Sequence, residues 1–325
     1  MKYRFTDIPR YVSREDYAAA INRMVEKVVN SGLAQSVYQV GSVGTPGISD
    51  VDLVVILHEN LRTDFNPVAG LTYQDRYLFS HRLFGTVIPY ALELEKYVFF
   101  GNYEHLWGYR FDMNRHSLPE DQLKLLKYQI ALEYLLKAWI SISINTFTGI
   151  IKVRNLLLHA KGILHDIRFL ELENTALEKC IHKIIKHREN WFNSPLKGHE
   201  IGGLTEEYQN SLEETVRTGI ARHGFYIPKG ANLQIAKSIR LEPGAELKFT
   251  HKGIKVPNLP AIPNQYINKI NNRLNQYVIT LPLIQQNIPE IIMQRYQYLH
   301  EAFRYNKQHL PGFICTGHGI DIFSS

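Results

Sequence analysis

Asp50-Val51-Asp52, two aspartates separated by one apolar residue, are the groups in this chain whose type and spacing point most directly to chemistry. On an extended strand residues i and i+2 face the same way, so the pair would present two carboxylates side by side. Carboxylates held that close repel and raise each other's pKa unless a cation lies between them. Mg2+ suits such a position, because it takes hard oxygen ligands and shares its shell with substrate phosphates, and Mn2+ accepts a similar set. Just upstream, Gly41-Ser42 makes a short turn at which the backbone can approach a ligand closely. The Ser42 hydroxyl beside the amides of that turn suits phosphate oxygens.

These groups need elements to hold them. Arg14 to Leu33 has helical spacing, with Ser13 as N-cap, Asp16 three positions on, and Gly32 as a stop. Ser36 to Val40 predicts a strand, residues 41 to 49 a loop, and Val51 to Leu57 a second strand. Beyond Asp52 that second strand is nearly all apolar, as a buried central strand should be. Tyr77 to Ile88 interleaves aromatic, apolar and polar residues and predicts more strand. From Pro119 to Ile144, and again from Ile150 to Glu173, the pattern is that of long helices; Leu177 to Trp191 and Thr205 to Arg222 continue it. After Gly224 short β-type runs appear, such as Ala245 to Thr250. Pro257, Pro260 and Pro263 then mark an irregular connection, and a last helix is expected from Pro289 to Leu310.

The order Val40-Gly41-Ser42, spacer, Ser49-Asp50-Val51-Asp52-Leu53-Val54-Val55 resembles the DNA polymerase beta-like nucleotidyltransferase superfamily. The resemblance covers roughly residues 14 to 60, with weaker support to about 110. It implies that Gly41 and Ser42 hold the β- and γ-phosphates of a nucleoside triphosphate and that Asp50 and Asp52 bind Mg2+ or Mn2+. The spacer Val43 to Ser49 is shorter than most members show, and Gly44, Pro46 and Gly47 give it loop character in place of the usual helical turn. The family adds a third acid on a later strand between apolar residues. Glu93 in Ala91-Leu92-Glu93-Leu94 is the best match; equally, Pro89 can open a helix here, in which Glu93 would be a solvated residue. The family also places basic residues from a following helical domain on the triphosphate, and Arg154 and Lys161 are the candidates.

The resemblance implies an α/β (α+β) fold: a nucleotidyltransferase domain over 1–116 with a mixed sheet and flanking helices, a helical domain over 117–223, and a mixed C-terminal region over 224–325. It further implies transfer of a nucleoside monophosphate to a hydroxyl acceptor, whether small molecule, protein or RNA. Two alternatives stay open. One is a nucleotide- or RNA-binding protein that keeps the fold without turnover. The other is a ribonuclease, because Arg154 to His159 is similar to the Arg-x4-6-His motif of HEPN-domain ribonucleases.

Composition bounds the rest. A chain of 325 residues with 45% hydrophobic and 21% charged residues can bury a substantial core. A net charge of +6 suits phosphate-bearing partners without requiring them. Cys180 and Cys315 provide no disulfide framework and no zinc spacing, and the 14 histidines form no HExxH cluster. Cys315-Thr316-Gly317-His318-Gly319 suggests a flexible tail. The N-terminus carries no signal-peptide h-region and the longest apolar run, near Leu135 to Ile144, is too short to span a bilayer. The expected address is the cytoplasm, with no membrane partner.

Overall fold

The computed structural model describes residues 3–113, 118–229, 238–254 and 264–315 of a mixed α/β chain with mixed sheets and flanking helices. Strand β1 (Arg4–Thr6) precedes helix α1 (Arg14–Val29), strands β2 (Ala34–Val40) and β3 (Asp52–Leu57), and helix α2 (Tyr73–Leu78). Strand β4 (Phe84–Val87), short helices α3 (Ile88–Ala91) and α4 (Leu94–Tyr97), and strand β5 (Tyr103–Gly108) follow. Next come α5 (Glu120–Thr148), β6 (Ile150–Lys152), α6 (Val153–Leu158), α7 (Ala160–Phe169), α8 (Ala176–Asn190) and α9 (Gly198–His223). The order ends with β7 (Ile239–Pro243), β8 (Lys248–Gly253), α10 (Asn264–Leu274), β9 (Asn275–Leu281) and α11 (Glu290–His309). The proline-marked connection at Pro257, Pro260 and Pro263 and the segment Thr316 to Gly319 lie outside the described residues.

The chain forms two compact units, each discontinuous in sequence. Among the described residues, one, the sheet unit, comprises 10–113, 118–120 and 294–315; the other, the helical unit, comprises 3–9, 121–229, 238–254 and 264–293.

In the sheet unit the strand order is β4-β3-β2-β5, with β2 antiparallel to both β3 and β5, and β3 parallel to β4. Residues Leu53 to Leu57 have no accessible surface, which is why this strand tolerates no polar residue beyond Asp52. Helix α1 lies on one face through Tyr17, Ala20, Met24 and Val28, packed with Val37, Leu53, Val55 and Leu57. Its start is the expected one: Ser13 and Asp16 form a capping box. The free side of β4 is paired by the end of the chain, where Gly85 N donates to Ile314 O (3.0 Å) and Ile314 N to Leu83 O (2.9 Å). Phe313 fills the space above Gly85, where a Cβ would lie 2.5 Å from its ring.

Only part of the strand expected from Tyr77 to Ile88 forms. Tyr73–Leu78 is helical, started by Thr72, whose hydroxyl accepts from Asp75 N, and held by a 2.6 Å ion pair from Arg23 to the buried Asp75. Interleaved aromatic and polar residues satisfy either period over so short a run, and these local partners select the helix.

In the helical unit, β1 and β6 form a short parallel pair, and β7-β9-β8 form a three-stranded sheet. The helix expected from Ile150 therefore begins at Val153, because the β-branched pair Ile150-Ile151 ladders with Arg4 and Phe5. It also breaks at His159, between α6 and α7. Val153, Leu156, Leu157, Ala160, Ile163 and Ile167 form its buried stripe. Among the described residues, no helix is long and apolar enough to cross a membrane.

Candidate metal and nucleotide site

Val51 organises the aspartate pair. Its side chain is buried and its N–H donates to Leu78 O (3.0 Å), so the chain is pinned between α2 and the core while Asp50 and Asp52 flank the anchor. Asp50 lies just before β3 and Asp52 opens it, opposite Val40 at the end of β2. The loop leading in is wound tightly, with Ser49 N bonded to Thr45 O (2.9 Å) and Thr45 N to Ser49 Oγ (3.1 Å). Despite its loop-type residues the short spacer therefore closes a single turn of i to i+4 type. Tyr17, buried in α1, fastens it: the hydroxyl donates to Ser49 O (2.6 Å) and accepts from Gly47 N (3.1 Å). Tyr77 of α2 donates to Gly47 O from the other side.

Two side chains between α2 and β4 meet the carboxylates. Ser80 Oγ donates to Asp50 Oδ2 (2.8 Å), and His81 Nε2 lies 2.8 Å from Asp52 Oδ1. Ligating atoms of Asp50, Asp52 and His81 all fall within 4.8 Å of one another, the only such group of three or more among the described residues. Two full charges at that separation repel by roughly 3 kcal/mol at an effective dielectric near 20, and by less where solvent screens them. The Asp52 and His81 side chains are about one-third exposed. Burial lowers the His81 pKa, but the hydrogen bonds it donates to Asp52 and to the Arg82 carbonyl, with the two negative charges, outweigh it and carry the imidazole to about 9. At neutral pH it is an imidazolium, donating from Nε2 to Asp52 and from Nδ1 to Arg82 O (2.6 Å).

The donor set fits a divalent ion. Two carboxylates supply hard oxygens, and the imidazole adds a nitrogen whose ring is already oriented by a backbone carbonyl at Nδ1, the usual second partner of a metal-bound histidine. Nitrogen in the set tilts it from Mg2+ toward a transition ion such as Mn2+. Gly41 sits at the end of β2, beside the strand that Asp52 opens. Its φ of +73° is a left-handed conformation that favours glycine, and the space where a Cβ would stand is open. Gly41 and Ser42 are both exposed.

Of the other expected site residues, Glu93 is placed away from the aspartate pair. Glu93 lies between α3 and α4, beyond the end of β4, in an ion pair with Lys96 (3.5 Å). Because β4 runs parallel to β3, with Val87 opposite Leu57, its end lies at the far side of the sheet from Asp52. The helix that Pro89 opens has overridden the strand reading. Among the described strands of the sheet unit, no later one supplies the acid either. On β5, Glu104 pairs with Gln39, one step out of phase with the Asp52–Val40–Tyr103 row, so it faces the opposite side of the sheet. Arg154 and Lys161 belong to the helical unit; Arg154 is buried at 5% exposure, and Lys161 is exposed on α7. His159 is exposed at the break between α6 and α7, its Nδ1 3.3 Å from the Tyr134 hydroxyl.

His81 is the site residue that sequence reading passed over. The available signal was topological: a residue just before a strand parallel to β3 arrives at the same end of the sheet as Asp52. No protein-family model matches the chain, and no curated protein or solved structure gives a significant match.

Proposed function

We propose that the chain is a metal-dependent nucleotidyltransferase of the DNA polymerase beta-like kind, acting in the cytoplasm on a nucleoside triphosphate and a hydroxyl acceptor. The observation that carries this reading is the convergence of Asp50, Asp52 and His81 at the mouth of β3, beside the Gly41-Ser42 turn. In this reading Asp50 and Asp52 hold Mg2+ or Mn2+, and His81 Nε2 offers the third donor. The bound ion would activate the acceptor hydroxyl and neutralise charge on the α-phosphate. The exposed backbone at Gly41 and Ser42, with the Ser42 hydroxyl, would cradle the β- and γ-phosphates. The Ser80 hydroxyl keeps Asp50 oriented, and the Tyr17 and Tyr77 hydroxyls keep the loop from shifting as charge develops. Arg154 and Lys161 have no assigned part in this mechanism, and the acceptor stays open between small molecule, protein and RNA.

The test is pyrophosphate release from each of the four nucleoside triphosphates with Mg2+ or Mn2+, using Asp50→Ala/Asp52→Ala as control. Release that the double variant lowers by at least about a hundredfold is the expected result, on the scale of losing preorganised electrostatic stabilisation. Full activity in the double variant would remove the metal site from the mechanism. A second reading, nucleotide binding without turnover, is favoured by one observation: neither β4 nor β5 presents a carboxylate on the Asp52 side. Metal-dependent triphosphate binding with no pyrophosphate from any acceptor tried would select it.

A further inference from the structure

At the opposite end of β3 the sheet unit carries a cavity of about 500 Å³. It opens just past Leu57, beside Glu59 and Asn60, and is walled by α3, α4 and the part of α11 that belongs to this unit. Five residue steps along β3 lead from Asp52 to Leu57, roughly 17 Å of rise, so this cavity is distinct from the aspartate site.

Tyrosines make its wall. The Tyr97 and Tyr298 rings stack at 4.9 Å, Tyr90 meets Tyr298 at 6.1 Å, and Tyr305 meets Tyr90 at 5.7 Å. Two of the hydroxyls are tied to backbone, Tyr298 donating to Tyr90 O (2.8 Å) and Tyr305 accepting from Asn60 N (3.3 Å), which fixes the ring planes. Glu59, Glu93 and Glu301 stand around the same space; no lysine, arginine or histidine is among its lining residues, and Lys96, just behind the wall, pairs with Glu93. In a chain whose net charge is +6, three carboxylates about one cavity run against the general surface. Burial, with the Glu301 charge, raises the Tyr90 phenol against an opposing effect of Arg304.

The sign excludes a phosphate or other anion as the natural occupant. A compact metal ion is excluded by spacing, because these carboxylates do not gather three ligating atoms within reach of one ion, as Asp50, Asp52 and His81 do. What remains is an organic cation whose charges sit on separate groups joined by an apolar body that can lie on rings. The protein already shows one ammonium held in this way. Lys96 Nζ sits 3.5 Å from Glu93 and 4.8 Å from the centre of the Tyr97 ring, bridging a carboxylate and an aromatic face of the wall.

We propose that this cavity binds an organic molecule carrying two or more ammonium groups, its amines paired with Glu59 and Glu301 and its carbon chain or ring laid on the tyrosine wall. The site is independent of the nucleotidyltransferase reading. Titration calorimetry on the full chain, with spermidine as a linear probe and trans-1,4-diaminocyclohexane as a ring-borne one, tests it. Both exposed carboxylates can be neutralised without loss of volume in Glu59→Gln/Glu301→Gln, and a thermal melt of that variant checks the fold. The expected result is binding of at least one probe, weakened tenfold or more in the double variant and weakened by added salt, and unchanged in Asp50→Asn/Asp52→Asn. Spermidine binding alone assigns the cavity to linear polyamines; diaminocyclohexane binding alone assigns it to ring-borne amines. Failure of both probes, equal affinity in the folded glutamine variant, or loss of binding in the aspartate variant would each overturn the proposal.

Discussion

His81 donates two hydrogen bonds at once, to Asp52 and to the Arg82 carbonyl, and it can do so only as the imidazolium. A divalent ion held by Asp50, Asp52 and Nε2 must therefore displace a proton. The imidazole titrates near 9 without metal, so below that pH each bound ion should release close to one proton, and apparent affinity should rise as pH approaches 9. Calorimetry of Mn2+ binding at pH 7 in two buffers of different ionisation enthalpy reads the proton count directly; identical heats in both would mean that His81 stays protonated and is not a ligand. His81→Gln should bind Mn2+ more weakly with no proton released. The two aspartates were legible in the sequence because their relation is local, a period-two spacing read off adjacent positions. His81 was not, because its partner is 29 residues away and the contact depends on a parallel strand pairing that no short window contains.

Elements were legible in proportion to their length and to the clarity of their ends. Helix α1 has a capping box and four buried residues at helical spacing, and β3 has five apolar residues in sequence; both form where their patterns place them. Short stretches followed tertiary partners instead: Tyr73–Leu78 became helix, Ile150–Lys152 joined β1, and the Pro89 helix removed Glu93 from any strand. Helix α7 holds a further quantity that sequence does not show. Asp166 lies on it at 7% exposure, and burial raises its carboxyl well above the usual range. An acid with a raised folded pKa costs stability at neutral pH, where the unfolded chain would ionise it, and that cost fades as pH falls toward the unfolded value of about 4. Asp166→Asn should accordingly raise the urea midpoint at pH 7 and change it much less at pH 4.5. An equal effect at both values would mean that burial of the charge is not what the substitution relieves.

For the whole molecule, the determining fact is that each unit is made from separate stretches of chain. The sheet unit takes its last pieces from beyond residue 293: Arg295, fully buried, donates to Tyr97 O (2.9 Å), Asn306 donates to Gly85 O (2.9 Å), and Phe313 caps Gly85. Removing the Phe313 ring should cost on the order of 3–5 kcal/mol, the usual range for a buried phenylalanine. Phe313→Ala should lower the melting temperature and weaken Mn2+ binding at the nearby Asp50–Asp52–His81 group in parallel, because the same segment holds Leu83 and Arg82 beside His81. An unchanged melt would show that the paired edge of β4 contributes little.

The same arrangement imposes an order on synthesis. A ribosome releases the chain at about 5–20 residues per second, and early segments fold as they emerge. β3 and the aspartates are made by residue 57, yet Ile314, which pairs the outer edge of β4, follows only after the helical unit has been made. The sheet must wait through the 173 residues of helical unit from Asp121 to Met293 with that edge unpaired, a state prone to sticking to other strands. A ribosome that stalls before residue 294 would leave a product with both aspartates but no finished sheet to hold them, so premature termination should give aggregation or degradation and not a smaller working protein.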